Sequence, residues 1–221
     1  MTSLPSSVPR PTGAANLRVY GKYLLGCCFF SLGAYLFITS EMGTDPLDTF
    51  ALGVLTHLPL TIGLVQFGVA AVCVTVVAVW TQERPRTSPL VTFFLCGSLI
   101  DLQLWVDWGR ALSPGYVMLT VATVCCALGS ALIIMSGFGI RAMDLVAIQA
   151  LRAWLLPFWV GKGILELLLL GLGVVLGGPA GVGTVFFLVG VDVLIQPIMW
   201  ATARTMRLAN HGMPQPAQAV P

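Results

Sequence analysis

Six stretches of this chain stay apolar for close to the roughly 20 residues that a bilayer's hydrocarbon core demands of a helix. They run from about Tyr20 to Ser40, Thr61 to Trp80, Pro89 to Trp105, Gly115 to Ser136, Val160 to Leu176 and Val185 to Ala203. Lipid offers the backbone no hydrogen bonds, so segments that cross it must satisfy their own N–H and C=O groups. Runs of this length do so as helices. Composition agrees: 57% of residues are hydrophobic and 9% charged, against about 25% charged in soluble domains. That is too little charge to cover a water-facing surface, and the expectation is an all-α integral membrane protein with the lipid bilayer as its first partner.

The few charges orient it. With six spans and the N-terminus inside, Arg10, Arg18, Lys22, Arg84, Arg86, Arg141, Arg152, Arg204 and Arg207 fall on the inner side. Lys162 sits at the inner mouth of the fifth span, and only Arg110 lies outside, so ten of the eleven Lys and Arg share one face. This positive-inside bias predicts cytoplasmic N- and C-termini in a bacterial cell (inner) membrane. A net charge of +2 is too weak to suggest nucleic acid. Residues 1–19 and 206–221 read as disordered cytosolic tails; the N-terminal one is Pro/Ser-rich and has neither the apolar core nor the cleavage site of a signal peptide.

Within the apolar runs one stretch occurs twice. Leu32 to Asp48 reads LGAYLFITSEMGTDPLD, and Leu128 to Asp144 reads LGSALIIMSGFGIRAMD. Leu32, Gly33, Leu36, Ile38, Ser40, Gly43 and Asp48 meet identical partners at Leu128, Gly129, Leu132, Ile134, Ser136, Gly139 and Asp144. The chain thus divides into a first three-span repeat, 20–105, and a second, 106–205. Three spans is an odd number, so the second copy must enter from the opposite side, as an inverted repeat. An echo between Thr92–Gly97 and Val185–Gly190, which carries Gln103 onto Gln196, supports it.

Each repeat also holds one short segment that does not span. Asp45, Pro46 and Asp48 read as an N-cap, a first-turn proline and a third-position acid, predicting a short helix over Pro46 to Leu58. Its counterpart, Ala142 to Leu156, ends at Pro157 and fits either a re-entrant or an interfacial helix.

The run Gly177-Gly178-Pro179-Ala180-Gly181-Val182-Gly183-Thr184-Val185-Phe186-Phe187, followed by Gly190 and Ile195-Gln196-Pro197, resembles the C-terminal signature of the YczE/YyaS/YitT-type bacterial membrane proteins. Gly43-x-x-Pro46-x-Asp48 resembles that family's Gly-x-x-Pro-Trp-Asp element, with Leu47 in place of the aromatic. Gly139 to Asp144 resembles its Gly-x-Gly-Pro-Arg-Asp element at the two ends, while Arg141, Ala142 and Met143 depart from it. The likeness covers roughly Leu24 to Ala203. It implies a multi-pass bacterial inner-membrane protein and assigns it no substrate and no catalytic residue.

Ionisable groups at membrane depth cost on the order of 2.5–3.5 kcal/mol each, so each needs a reason. The candidates for a substrate or ion path are Asp48 and Asp144, which the duplication matches, the in-span acids Asp101, Glu166 and Asp192, the amides Gln103 and Gln196, and Arg141. Plainer readings stand beside them: Asp48 as a helix cap, Asp101, Asp192 and Gln196 as interhelical hydrogen-bonding groups, Glu166 as the ion-pair partner of Lys162 one turn earlier, and Arg141 as a topology determinant. Gln66 is a further embedded amide.

Six cysteines, all within apolar runs, read as packing residues. With two histidines, no catalytic triad, no metal-ligand spacing and no phosphate-binding glycine loop, neither an enzyme nor a cofactor is expected. The leading expectation is a carrier of a small solute or ion; the alternative is a non-transporting subunit that scaffolds or regulates a partner, and a lipid-modifying enzyme stands third.

Overall fold

A computed structural model describes residues 13–82, 87–111, 115–137, 142–154 and 158–206. Every regular element among them is helical, in the order α1 (Gly13–Thr39), α2 (Pro46–Leu55), α3 (Ile62–Thr81), α4 (Ser88–Val106), α5 (Tyr116–Ser136), α6 (Ala142–Trp154), α7 (Phe158–Val175), α8 (Val182–Val185) and α9 (Asp192–Met206). A 3-10 turn, Trp108–Ala111, follows α4, and a π-helical stretch, Phe186–Val191, joins α8 to α9.

Five helical stretches are long and apolar enough to cross a membrane: Val19–Thr39, Ile62–Thr81, Ser88–Val106, Tyr116–Ser136 and Val182–Thr202. They coincide with five of the six expected spans. The remaining one forms α7, 18 residues long, which carries Lys162 and Glu166 and is not among those five. The two expected short segments are the helices α2 and α6. α1 starts at Gly13, so the end of the stretch expected to be a tail is helical; residues 1–12 and 207–221 lie outside the described residues. The exposed side chains of the spans are strongly apolar, as at Val117, Val72 and Trp105, which suits a surface solvated by lipid.

α1 and α5 form the centre, and their packing is reciprocal. A methyl group on Gly33 would lie 2.6 Å from the Ala122 carbonyl oxygen, and one on Gly129 would lie 2.7 Å from that of Gly26. The register that pairs Gly33 with Gly129 also pairs Gly26 with Ala122, so the two contacts are one contact seen from either copy. Gly26 faces Ile133 while Gly33 faces Cys126, so the two helices run antiparallel. Only glycine permits so close an approach of backbones. The matched serines agree: Ser40 Oγ donates to the Phe37 carbonyl and Ser136 Oγ to the Ile133 carbonyl, each at 2.6 Å.

The short helices cross over. α2 packs on α7 of the other half, and α6 packs on α3. Within each half, α1 touches α4 and α5 touches α9. The halves are therefore interlocked around the α1–α5 pair, with a buried cluster that includes Tyr35, Phe37, Leu119, Cys126, Phe187 and Val191. The six thiols are free, four of them buried in such packing.

Candidate functional site

The site is built where α1 ends and α2 begins. After α1 the chain turns through Gly43, whose φ of 102° is strained for any residue with a side chain. The turn is sealed from the second half, since the Gly183 N–H donates to the Met42 carbonyl at 2.8 Å. Asp45 then caps α2: its Oδ1 accepts from the Asp48 N–H at 3.0 Å, with Pro46 in the first turn, as the sequence predicted.

Asp48 itself does not cap. Its side chain is fully buried, and Oδ1 accepts from Gln66 Nε2 of α3 at 2.6 Å, while Oδ2 has no hydrogen-bond partner among the described residues. Burial, and then the neighbouring Asp45 carboxyl, push the Asp48 carboxyl well above the usual carboxylate range. Here α2, too short to span, sets a buried carboxyl against the core.

In front of this pair lies a small cavity of about 30 Å³, enough to hold water. Both halves line it. The first half supplies Asp45, Gln66 and Thr92 as polar groups, the second supplies Ser130, and Phe30, Phe93, Leu47, Cys96, Ile133, Ile134 and Met143 make the apolar wall. Thr92 is held in place, accepting from the Tyr23 hydroxyl at 3.0 Å and donating to the Ser88 carbonyl at 3.0 Å. Ser130 is different: it is 2% exposed and its hydroxyl has no partner among the described residues. No group of three His, Cys, Asp or Glu side chains converges as a metal site among the described residues. The pocket's chemistry is that of an acid, an amide and two hydroxyls in an apolar chamber.

The other candidates lie elsewhere. Asp101 accepts from the Ile62 and Gly63 N–H groups, at 2.9 and 2.8 Å, so its carboxylate satisfies the first turn of α3 from α4. Gln103 donates to Ser31 Oγ and the Leu99 carbonyl, both at 3.2 Å. Lys162 pairs with Glu166 at 3.3 Å, as its spacing predicted, and also donates to Asp192, the first residue of α9. Asp192 is thus an ion-pair partner on a half-exposed site, away from the pocket lining. Asp144 belongs to α6, next to Met143, but its side chain, that of Gln196 and the whole of Arg141 lie outside the described residues.

Three polar wall residues, Asp45, Thr92 and Ser130, were absent from the candidates, and Gln66 was noticed only as an embedded amide. Gln66 carried the one usable signal, an amide in the middle of an apolar run. Ser130 carried none, because a serine in a packed span is an ordinary small residue.

Comparison with known proteins adds kinship without chemistry. No solved structure matches. The "Uncharacterized protein YyaS" of Bacillus subtilis (strain 168) is 26% identical over 169 residues, covering 75% of this chain and 84% of the relative. The "Uncharacterized membrane protein YczE" of the same organism is 23% identical over 202 residues, covering 90% and 92%. The resemblance noted at Gly43–Asp48 and Gly177–Gln196 therefore extends over nearly the whole chain. Residues 17–199 match a single family, and the protein belongs to it: the family of unknown function DUF6198.

Proposed function

We propose that this protein is a carrier of a small solute or ion in a bacterial inner membrane, built from two inverted repeats of three spans each with α7 as the sixth span. The observation that supports the reading is a small, mostly apolar pocket with a few polar wall groups at the seam of two halves that interlock reciprocally. Antiparallel packing of α1 and α5 supports a relating axis across the helices, in the plane of the membrane if both helices span it. Inverted repeats with a midway site at their interface are a recurrent construction of secondary transporters. The short, crossed helices α2 and α6 then close the pocket from opposite sides. Both termini face the cytoplasm, and the protein performs no chemistry on what it moves.

Two measurements test this. In a cysteine-free background, single cysteines at Arg10, Arg84 and Arg207 should be shielded from an impermeant thiol reagent in intact cells, and one at Arg110 should label. Labelling of the Arg84 site from outside removes the inverted arrangement. For the solute, a thermal-shift screen against metabolites and ions should find a ligand that stabilises the purified protein, because ligands that prefer the folded state raise its apparent stability.

A further inference from the structure

Four serine and threonine side chains lie along α5, and three of them bond to their own helix. Thr120 Oγ1 donates to the Tyr116 carbonyl at 2.8 Å, Thr123 Oγ1 to that of Leu119 at 2.7 Å and Ser136 Oγ to that of Ile133 at 2.6 Å. Bonding one turn back is the ordinary resort of a hydroxyl in a span, where lipid and packed apolar side chains offer nothing else. Ser130 does not take it. Its Oγ is buried, has no hydrogen-bond partner among the described residues, and stands in the wall of the seam cavity. In the register of the repeat its place in the first half is held by Ala34, which belongs to an apolar cluster with Ile62, Val65 and Ile100. The cavity measures about 30 Å³, above the roughly 10–15 Å³ that one water needs. The first half adds the Asp45 carboxyl, the Gln66 amide and the Thr92 hydroxyl to the same wall.

We propose that the seam cavity is a water site, holding one or two bound waters anchored by Ser130 and shared between the halves. The Ser130 hydroxyl donates its proton to a water oxygen. The water then has protons of its own to place, and the first half accepts them. Thr92 already gives its proton to the Ser88 carbonyl and accepts from Tyr23, so toward the cavity it can only accept. A carboxylate accepts at about four positions, so Asp45 can take a water proton and keep the bond from the Asp48 N–H. Buried water is held where it finds two to four polar partners, and a cavity lined by apolar groups alone stays dry. Ser130 is what separates this cavity from the dry kind. The water joins the second half to the first at their seam, so any motion that parts the halves must break it. The site goes beyond the carrier reading and stands whether or not the protein transports anything.

Radiolytic footprinting reads bound water directly, because an X-ray pulse turns it into hydroxyl radicals that oxidise the side chains it touches. The chain carries its own controls. Met143, Met135 and Met199 are equally buried, each 4% exposed, but Met143 lines the cavity while Met135 and Met199 pack together in another cluster. In the purified full-length protein in detergent, Met143 should become the sulfoxide several-fold faster than the other two. Ser130→Ala should bring Met143 down to their rate and leave theirs unchanged, with a melting curve that shows the protein folded. Should that variant fail to fold, Ser130→Cys takes its place, since a thiol fills similar space with only a weak donor and acceptor. Met143 oxidised no faster than Met135 and Met199 in the parent means a dry cavity and overturns the proposal. Met143 oxidised as fast in the folded variant as in the parent overturns it as well, because the water would then not depend on Ser130.

Discussion

At the scale of the residue, Asp48 is the position whose chemistry is most constrained. It is buried against Gln66 with one oxygen unpartnered, and Asp45 in its own turn and Asp101 on α4 both add negative charge nearby. The folded protein holds the Asp48 proton more tightly than the unfolded chain does. The group's contribution to stability is therefore complete below the unfolded value of about 3.9 and is lost as pH rises through the raised folded value. Asp48→Asn keeps the shape and can still accept from Gln66, but it cannot ionise. Its melting temperature should fall less steeply than that of the parent between pH 4 and neutrality, and at the upper end it should equal or exceed the parent's. A variant that is less stable at every pH, with the parent's slope, would show that the carboxyl is ionised and useful in the folded state. The matched Asp144→Asn, assayed beside it for uptake, shows whether the duplication carries function at both copies or at one.

Among the elements, the helices and several of their ends were legible and the partnerships between them were not. Asp45 and Pro46 announced the start of α2 because a cap and a first-turn proline act on backbone groups within three residues. Lys162 and Glu166 were legible because i,i+4 residues share a helix face. Gln66 with Asp48, Asp101 with the start of α3 and Lys162 with Asp192 join residues on different helices, and periodicity within one helix says nothing about its neighbour. The glycines sit between these cases. Gly33 and Gly129 were visible as a matched pair, but the reason for the match is the contact of α1 with α5. Leucine at either position would force apart backbones that now touch. Gly33→Leu or Gly129→Leu should each lower stability by at least the roughly 1–3 kcal/mol of an overpacked core, read as melting temperature in detergent. Gly171→Leu, where a Cβ meets nothing within 4 Å, should leave it nearly unchanged.

For the whole molecule, the two halves are joined by two matched contacts. In one clasp Thr56, just past α2, donates from Oγ1 to the Leu176 carbonyl at the end of α7, at 3.0 Å. In the other, Trp154 at the end of α6 lies against Trp80 near the end of α3, ring centroids 4.9 Å apart. The repeat register carries Leu176 onto Trp80, and it carries the residues following α2 onto the end of α6, so the clasps are matched places in opposite halves. A carrier must open one side while the other stays shut, since a site open to both sides leaks. Each clasp should therefore break in one half of the cycle only. Cysteine pairs at Thr56 with Leu176, and separately at Trp80 with Trp154, in a cysteine-free background, should tolerate a short reversible thiol cross-linker. Either cross-link should stop uptake, and reduction should restore it. The two locked forms should differ in which side reaches the pocket: a third cysteine at Ser130 should be open to reagent from the cytoplasm when the Thr56 pair is locked, and from outside when the Trp80 pair is. Uptake that continues under both locks would mean that the halves do not move against one another during transport.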